Sequence, residues 1–195
     1  MIEVGSINTN NSKDNTTEFR IRDKKAIIQH VLPIFDKYPL LTSKQFHYNQ
    51  FRKAILIAEN NNLSLEEKDK QIILIKNTIM PKDFISSAWN NTNINTITLP
   101  MVYTIISKEW LVGFTEAEGS FYLVKKGTKR ITHMFEITQK HDKIVLKAIS
   151  IILSLSIYEK KTYSTCVSTN LKSIEQIISY YHNTIKGIKS LEYRI

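Results

Sequence analysis

Between residues 107 and 181 the spacing of apolar side chains alternates between a helical period and a two-residue period, and that order leaves few folds open. A helix is expected over about Ser107–Glu118, followed by strands Ser120–Lys126 and Arg130–Thr138 around the turn Gly127-Thr128-Lys129. A helix over about Asp142–Leu155, a weaker hairpin over Ile157–Thr169 and a helix over Leu171–Tyr181 complete the unit. Hairpins separated by helices predict an α+β fold in which an antiparallel sheet packs one face on helices.

The first half is less regular. Strands are expected over Ile2–Ile7 and Thr17–Ile21, around a polar cluster at Asn8–Asn15. A helix from Lys24 to about Phe35 carries Ile27, Ile28, Val31 and Leu32, with Pro33 expected to kink or tighten its last turn. Tyr38-Pro39 breaks the chain, and Thr42 or Ser43 is expected to cap a second helix running to about Glu59. Phe46, Phe51, Ile55 and Leu56 are its candidate core positions. Ser64-Leu65-Glu66-Glu67 reads as a capping box opening a helix to about Ile79. Pro81, Pro100 and the run Asn90–Thr98 mark residues 80–106 as a linker. Phe35–Lys44 and Tyr48 can be laid over Tyr180–Lys189 and Tyr193, which suggests an internal repeat. The organisation read this way is 1–60 as the end of a first repeat, 61–106 as a helical linker and 107–195 as a second repeat.

Charge narrows the function. Lys+Arg total 27 against 18 Asp+Glu, a formal charge of +9, which points towards a polyanion partner such as nucleic acid. The lone Cys166 excludes an intramolecular disulfide framework, and no run approaches the roughly 18 apolar residues of a membrane span. The start carries neither a secretory signal nor an Arg-rich transit pattern. Abundant Ile, Lys and Asn with scarce Gly and Pro resembles an AT-rich organellar coding bias.

The most informative segment is Leu111-Val112-Gly113-Phe114-Thr115-Glu116-Ala117-Glu118-Gly119. Gly113 and Ala117 share a helical face and would admit a second backbone closely. Gly119 is expected to end the helix in a left-handed conformation. Glu116 and Glu118 then sit at the negative end of the macrodipole, where an acid is disfavoured by roughly 0.3–1 kcal/mol. Two readings stay open: a solvent-exposed helix end, or a cation held there. In the hairpin that follows, Phe121, Leu123 and Lys125 alternate with Tyr122, Val124 and Lys126. Ile131, Phe135 and Ile137, interrupted by His133, lie opposite Arg130, Thr132, Met134, Glu136 and Thr138. The second set is either a solvated sheet face or a surface for a nucleic-acid groove. His133 is read as a partly buried strand histidine, Cys166 as a strand residue without partner spacing, and Trp89 as packing.

Leu111–Gly119 followed by Ser120-Phe121 resembles the motif of the LAGLIDADG homing endonucleases, and Phe135-Glu136-Ile137-Thr138-Gln139-Lys140 resembles their second-strand signature. Asp36–Lys44 and Lys186–Tyr193 also match, and the likeness is strongest to the fungal mitochondrial intron-encoded, double-motif branch. The resemblance implies αββαββα repeats whose sheets form a saddle on the major groove of double-stranded DNA. It implies site-specific phosphodiester hydrolysis with Mg²⁺ or another divalent cation, and a mitochondrial location. Glu118, with the Gly119 carbonyl, matches the metal holder, Gln139 the residue that organises water, and Lys189 the base near the scissile phosphates, with Lys44 its earlier counterpart. Glu116 matches a structural acid, and Gly113 and Ala117 the helix interface. Tyr122, Val124, Lys126, Arg130, Thr132, Met134, Glu136 and Thr138 match the DNA-reading face, joined by Arg20 and Arg22.

On the same resemblance the first repeat is incomplete, because a first motif is expected ahead of residue 1, and relatives continue beyond residue 195. The missing half would come in cis from a longer chain or in trans by dimerisation through Gly113 and Ala117. The alternative reading is an RNA-binding intron maturase or a non-catalytic DNA-binding remnant, which draws on the same basic sheet.

Overall fold

The computed structural model describes residues 4–9, 17–90 and 92–194, in two compact units, Met1–Ala88 and Trp89–Ile195. Ile2, Glu3 and Asn10–Asn15, on which a strand start and a loop were expected, lie outside the described residues.

In the first unit, β1 (Ser6–Thr9) pairs antiparallel with β2 (Thr17–Arg20), Ile7 opposite Phe19. Asp23 accepts a bond from the Ala26 amide at 2.9 Å and opens α1 (Lys24–Ala26), which runs into a π-helical segment Ile27–Val31 and then α2 (Leu32–Lys37). Of the kink or tightening expected at Pro33, the tightening is corrected, because the turn ahead of it widens into the π-helical segment; Pro33 stands in the first turn of α2. In α3 (Lys44–Ala58) Ser43 makes no side-chain cap, and Thr42 Oγ1 instead accepts from the Lys44 amide at 3.4 Å. Ile55 is buried as expected, whereas Phe51 and Leu56 are exposed and Gln45 is buried in their stead. The Gln45 carbonyl oxygen accepts from the Leu40 amide at 2.7 Å, so this polar group is inside because it ties down the preceding turn.

The capping box forms as read. Ser64 Oγ accepts from the Glu67 amide at 3.3 Å, and Glu67 Oε2 accepts from the Ser64 amide at 2.8 Å, opening α4 (Leu65–Asn77). Gln50 Nε2 donates to the Ile75 and Thr78 carbonyls at 2.8 and 2.9 Å and closes its other end. Replacing Ser64 by Ala removes one half of the box and is expected to lower stability by about 1 kcal/mol, read from the urea midpoint of the transition that melts α4.

In the second unit, α5 (Leu99–Ile105) lies inside the stretch read as a linker, with Val102 and Ile106 buried and the helix packed on α7. Ser107 caps α6 (Lys108–Glu118) by accepting from the Trp110 amide at 3.2 Å. Then come β3 (Gly119–Lys126), β4 (Arg130–Gln139), α7 (Lys143–Leu153), β5 (Ser156–Glu159), β6 (Ser164–Ser168), α8 (Leu171–Tyr181) and α9 (Lys189–Tyr193). The sheet is antiparallel throughout, in the order β3-β4-β6-β5.

Phe135, Ile137 and Cys166 project from one sheet face and are buried, as are Val145, Leu146 and Ile149 of α7 and Ile177 and Tyr181 of α8. Cys166 donates to the Leu146 carbonyl at 3.2 Å, and burial pushes its thiol up to about 12, so it is a packing residue. The apolar stripe is covered only at its inner end. Leu123, Ile131 and His133, nearer the hairpin tip, are exposed, which corrects the reading of His133 as partly buried.

Candidate functional site

The site is built where α6 passes into β3. Gly119 has φ −80° and ψ 158°, so the expected left-handed helix end does not form and the chain goes directly from helix to strand. Glycine is required for another reason: a Cβ would lie 2.7 Å from Thr115 Cγ2 and 2.8 Å from the Thr115 carbonyl oxygen. Thr115 itself is fixed by a 2.6 Å hydrogen bond to the buried Tyr181 hydroxyl.

This abrupt passage leaves Glu118 exposed at the junction, with Gly119 directly opposite Ile137. Gln139 follows two residues along β4, and its Nε2 donates to Glu118 Oε2 at 3.2 Å. Two residues that the sequence marks separately thus meet.

Glu116 has a different task. Its Oε1 accepts from the Lys186 and Gly187 amides at 2.6 and 2.7 Å, and a Cβ on Gly187 would sit 2.6 Å from Oε2. The carboxylate anchors the turn that leads into α9. Removing it in Glu116→Ala leaves two amides without a protein acceptor and is expected to speed hydrogen exchange at 186–187 roughly tenfold or more, with the core amides of β4 unchanged.

Lys189, on α9, does not point its charge freely into solvent. Its ammonium donates to both Glu192 oxygens at 3.0 and 3.1 Å, and Glu192 Oε2 also accepts from the Phe121 amide at 3.3 Å. The bond from Lys189 holds the Glu192 carboxyl below its usual range. Sequence reasoning missed Glu192, which has no motif of its own and acquires its partner only when α9 covers the β3 edge.

The exposed Gly113 and Ala117 share one side of α6, and open space surrounds the position of a Cβ on Gly113. The buried Leu111 and Thr115 face inward from the same helix.

The alternation read from sequence places Tyr122, Val124, Lys126, Arg130, Thr132, Met134, Glu136 and Thr138 on the sheet face away from the core. The register confirms that placement, with Lys126 opposite Arg130, Val124 opposite Thr132 and Tyr122 opposite Met134. Lys126 Nζ donates to Thr169 Oγ1 at 2.6 Å. Glu136 lies centrally on this face: Tyr122 donates to it at 2.7 Å, Thr165 at 2.8 Å and Thr138 at 3.1 Å. Burial alone would raise its pKa, but those three hydroxyls bring the carboxyl below the ordinary value. Thr165 was not picked out from sequence, because its strand alternates weakly and threonine carries no charge signal. Arg20, in the first unit, pairs with Glu18, and Arg22 follows β2.

Among the described residues, no group of three or more His, Cys, Asp or Glu side chains converges as a metal site. The oxygens of Glu118 and the Gly119 carbonyl are hard donors of the kind Mg²⁺ takes, yet they fill only a minority of its six positions. Among the described residues, no helix is long and apolar enough to cross a membrane. The two tyrosines of the suggested repeat differ in their partners: Tyr48 OH donates to Asp36 Oδ1 at 2.6 Å, whereas Tyr193 OH donates to the Ile178 carbonyl at 2.7 Å.

Comparison with known proteins agrees with this architecture. The profile of the LAGLIDADG endonuclease family matches residues 1–55 and 111–195. The probable intron-encoded endonuclease Cox1-I1b of Schizosaccharomyces pombe is 37% identical over 193 residues, covering 94% of this chain and 47% of the relative. The mitochondrial protein RF1 of Saccharomyces cerevisiae is 34% identical over 127 residues, covering 65% of this chain and 23% of the relative. The LAGLIDADG homing endonuclease I-SmaMI bound to cleaved DNA superposes with a TM-score of 0.76 at 25% identity, over 98% of this chain and 68% of that one. Its structure with an uncleaved DNA target and calcium ions gives 0.78 at 24% identity, over 98% of this chain and 69% of that one.

The fold is therefore that of the DNA-cleaving meganucleases. This chain belongs to the LAGLIDADG endonuclease family, and it spans about half the length of the S. pombe relative.

Proposed function

We propose that this chain supplies one half of a site-specific, divalent-metal-dependent endonuclease acting on double-stranded DNA at an intron-homing site. The observation that carries the reading is the meeting of Glu118 and Gln139 at the end of a sheet with a polar outer face. Glu118 and the Gly119 carbonyl would hold the cation, which would supply charge neutralisation at the scissile phosphate and a lowered pKa for a water. The Gln139 amide spends one proton on Glu118, which leaves its carbonyl oxygen turned to accept from a water and so to orient it. Lys189 is the basic residue assigned to the DNA backbone, and its ammonium would exchange its bonds to Glu192 for a phosphate oxygen. Tyr122, Val124, Thr132, Met134, Glu136 and Thr138 read base edges, while Lys126, Arg130, Arg20 and Arg22 bind phosphates.

In this reading residues 1–60 are the end of a first repeat, 61–106 a linker and 107–195 the second repeat. The partner carboxylate comes from a first motif that docks on Gly113 and Ala117. The mitochondrial relative and the AT-rich coding bias support a mitochondrial location. The test is nicking of a plasmid library with randomised duplex inserts, by this chain alone and with a first-motif segment supplied in trans. Site-selective cleavage that EDTA abolishes supports the proposal. Absence of any nicking in both arms, together with tight binding of intron RNA, would replace it with the maturase reading.

A further inference from the structure

Glu136 is an acid at the centre of a sheet face that otherwise carries Lys126 and Arg130, on a chain of net charge +9. Its carboxylate is surrounded by hydroxyls. Tyr122 OH donates to Oε2 at 2.7 Å, and Thr138 and Thr165 donate to Oε1 at 3.1 and 2.8 Å. Thr138 Oγ1 also lies 2.9 Å from Thr165 Oγ1, and Thr165 Oγ1 lies 3.2 Å from the Ile137 carbonyl oxygen. Each hydroxyl has a single proton, and in every one of these pairings that proton is used inside the cluster. The oxygens therefore turn only lone pairs outward.

We propose that Tyr122, Glu136, Thr138 and Thr165 form an acceptor-only reading site that selects an exocyclic amine on the DNA, cytosine N4 before adenine N6. Thymine O4 and guanine O6 and N7 are acceptors and would face like lone pairs. Adenine offers N6–H₂ but carries the N7 acceptor beside it, whereas cytosine offers N4–H₂ beside a C–H. Thr165 is only 5% exposed and Tyr122 is 37% exposed, so Thr165 fixes the carboxylate from beneath while Tyr122 and Glu136 reach outward. At neutral pH the protons stay where this requires, since burial and the bond to Glu136 push Tyr122 up to about 12.

This assignment rests on the DNA-binding reading above, and its test separates the two. The 195-residue chain is used at low salt to select duplexes from a random pool, alongside Glu136→Gln and Tyr122→Phe. The chain is expected to enrich cytosine on one strand at one position, roughly tenfold over thymine or guanine. Glu136→Gln introduces an NH₂ donor into the cluster and is expected to flatten that position alone. Tyr122→Phe changes an exposed hydroxyl without disturbing the core and is expected to weaken the same position severalfold. Selection of duplexes with both variants keeping the parent profile overturns the reading site while leaving DNA binding intact. Selection of thymine or guanine at the position these variants alter overturns it equally. Failure of the chain to retain any duplex removes the DNA-binding reading and the assignment together.

Discussion

Replacing Glu118 by glutamine is expected to lower Mg²⁺-dependent strand cleavage at least about a thousandfold, while duplex affinity changes less than about twofold. A thousandfold is about 4 kcal/mol of transition-state stabilisation, which is reasonable for loss of an anionic metal ligand. Glutamine keeps the volume of the side chain and can still accept from the Gln139 amide, so the junction of α6 and β3 is preserved. What disappears is the negative charge. In the proposed function binding is assigned to the sheet face and to phosphate contacts elsewhere, so affinity is expected to stay near the parent value. The assay measures nicking rate and retained complex on the same duplex, with the first-motif segment supplied in trans. A variant that still cuts at a tenth of the parent rate contradicts the role given to Glu118.

The largest expected loss of stability follows from Phe135→Ala. Phe135 is completely buried, with its ring 4.9 Å from Phe121 and 6.2 Å from Tyr181. Removing it leaves a void between the sheet and α8 and is expected to cost about 3–5 kcal/mol in urea unfolding of the second unit. Domains of this size are stable by only about 5–15 kcal/mol, so the variant would lie near the threshold of folding. A measured loss below about 1 kcal/mol would mean that the sheet face carrying Phe135 is not packed as described.

Features set by neighbours in sequence were readable. The Ser64 box needs only Ser64 and Glu67, and it forms as read. The outward face of β3 and β4 follows from a period of two, and the register places it as expected. The failures have physical causes. Gly119 looks like a helix terminator because glycine adopts left-handed backbone readily, yet its φ is −80° and the residue is needed for its missing Cβ against Thr115. Phe51 and Leu56 fit a helical stripe, but apolar spacing does not say how much of that stripe the rest of the unit covers. The Glu116 carboxylate binds amides 70 and 71 residues away, a contact only tertiary structure could create. The pairing of Glu118 with Gln139 likewise depends on Gly119 lying opposite Ile137, a matter of register that residue types do not state. Thr165 stayed hidden because it acquires its role from Glu136 across the β4–β6 ladder.

If Glu118 holds a divalent ion beside the DNA, as proposed, Mn²⁺ bound there will broaden nearby NMR signals of the chain in its complex with duplex. The amides of residues 117–120 and the Gln139 side-chain NH₂ should broaden first, at low Mn²⁺, and Glu118→Gln should remove the effect. Broadening that spares these signals, or that persists unchanged in the Gln variant, would show that Glu118 does not hold the ion.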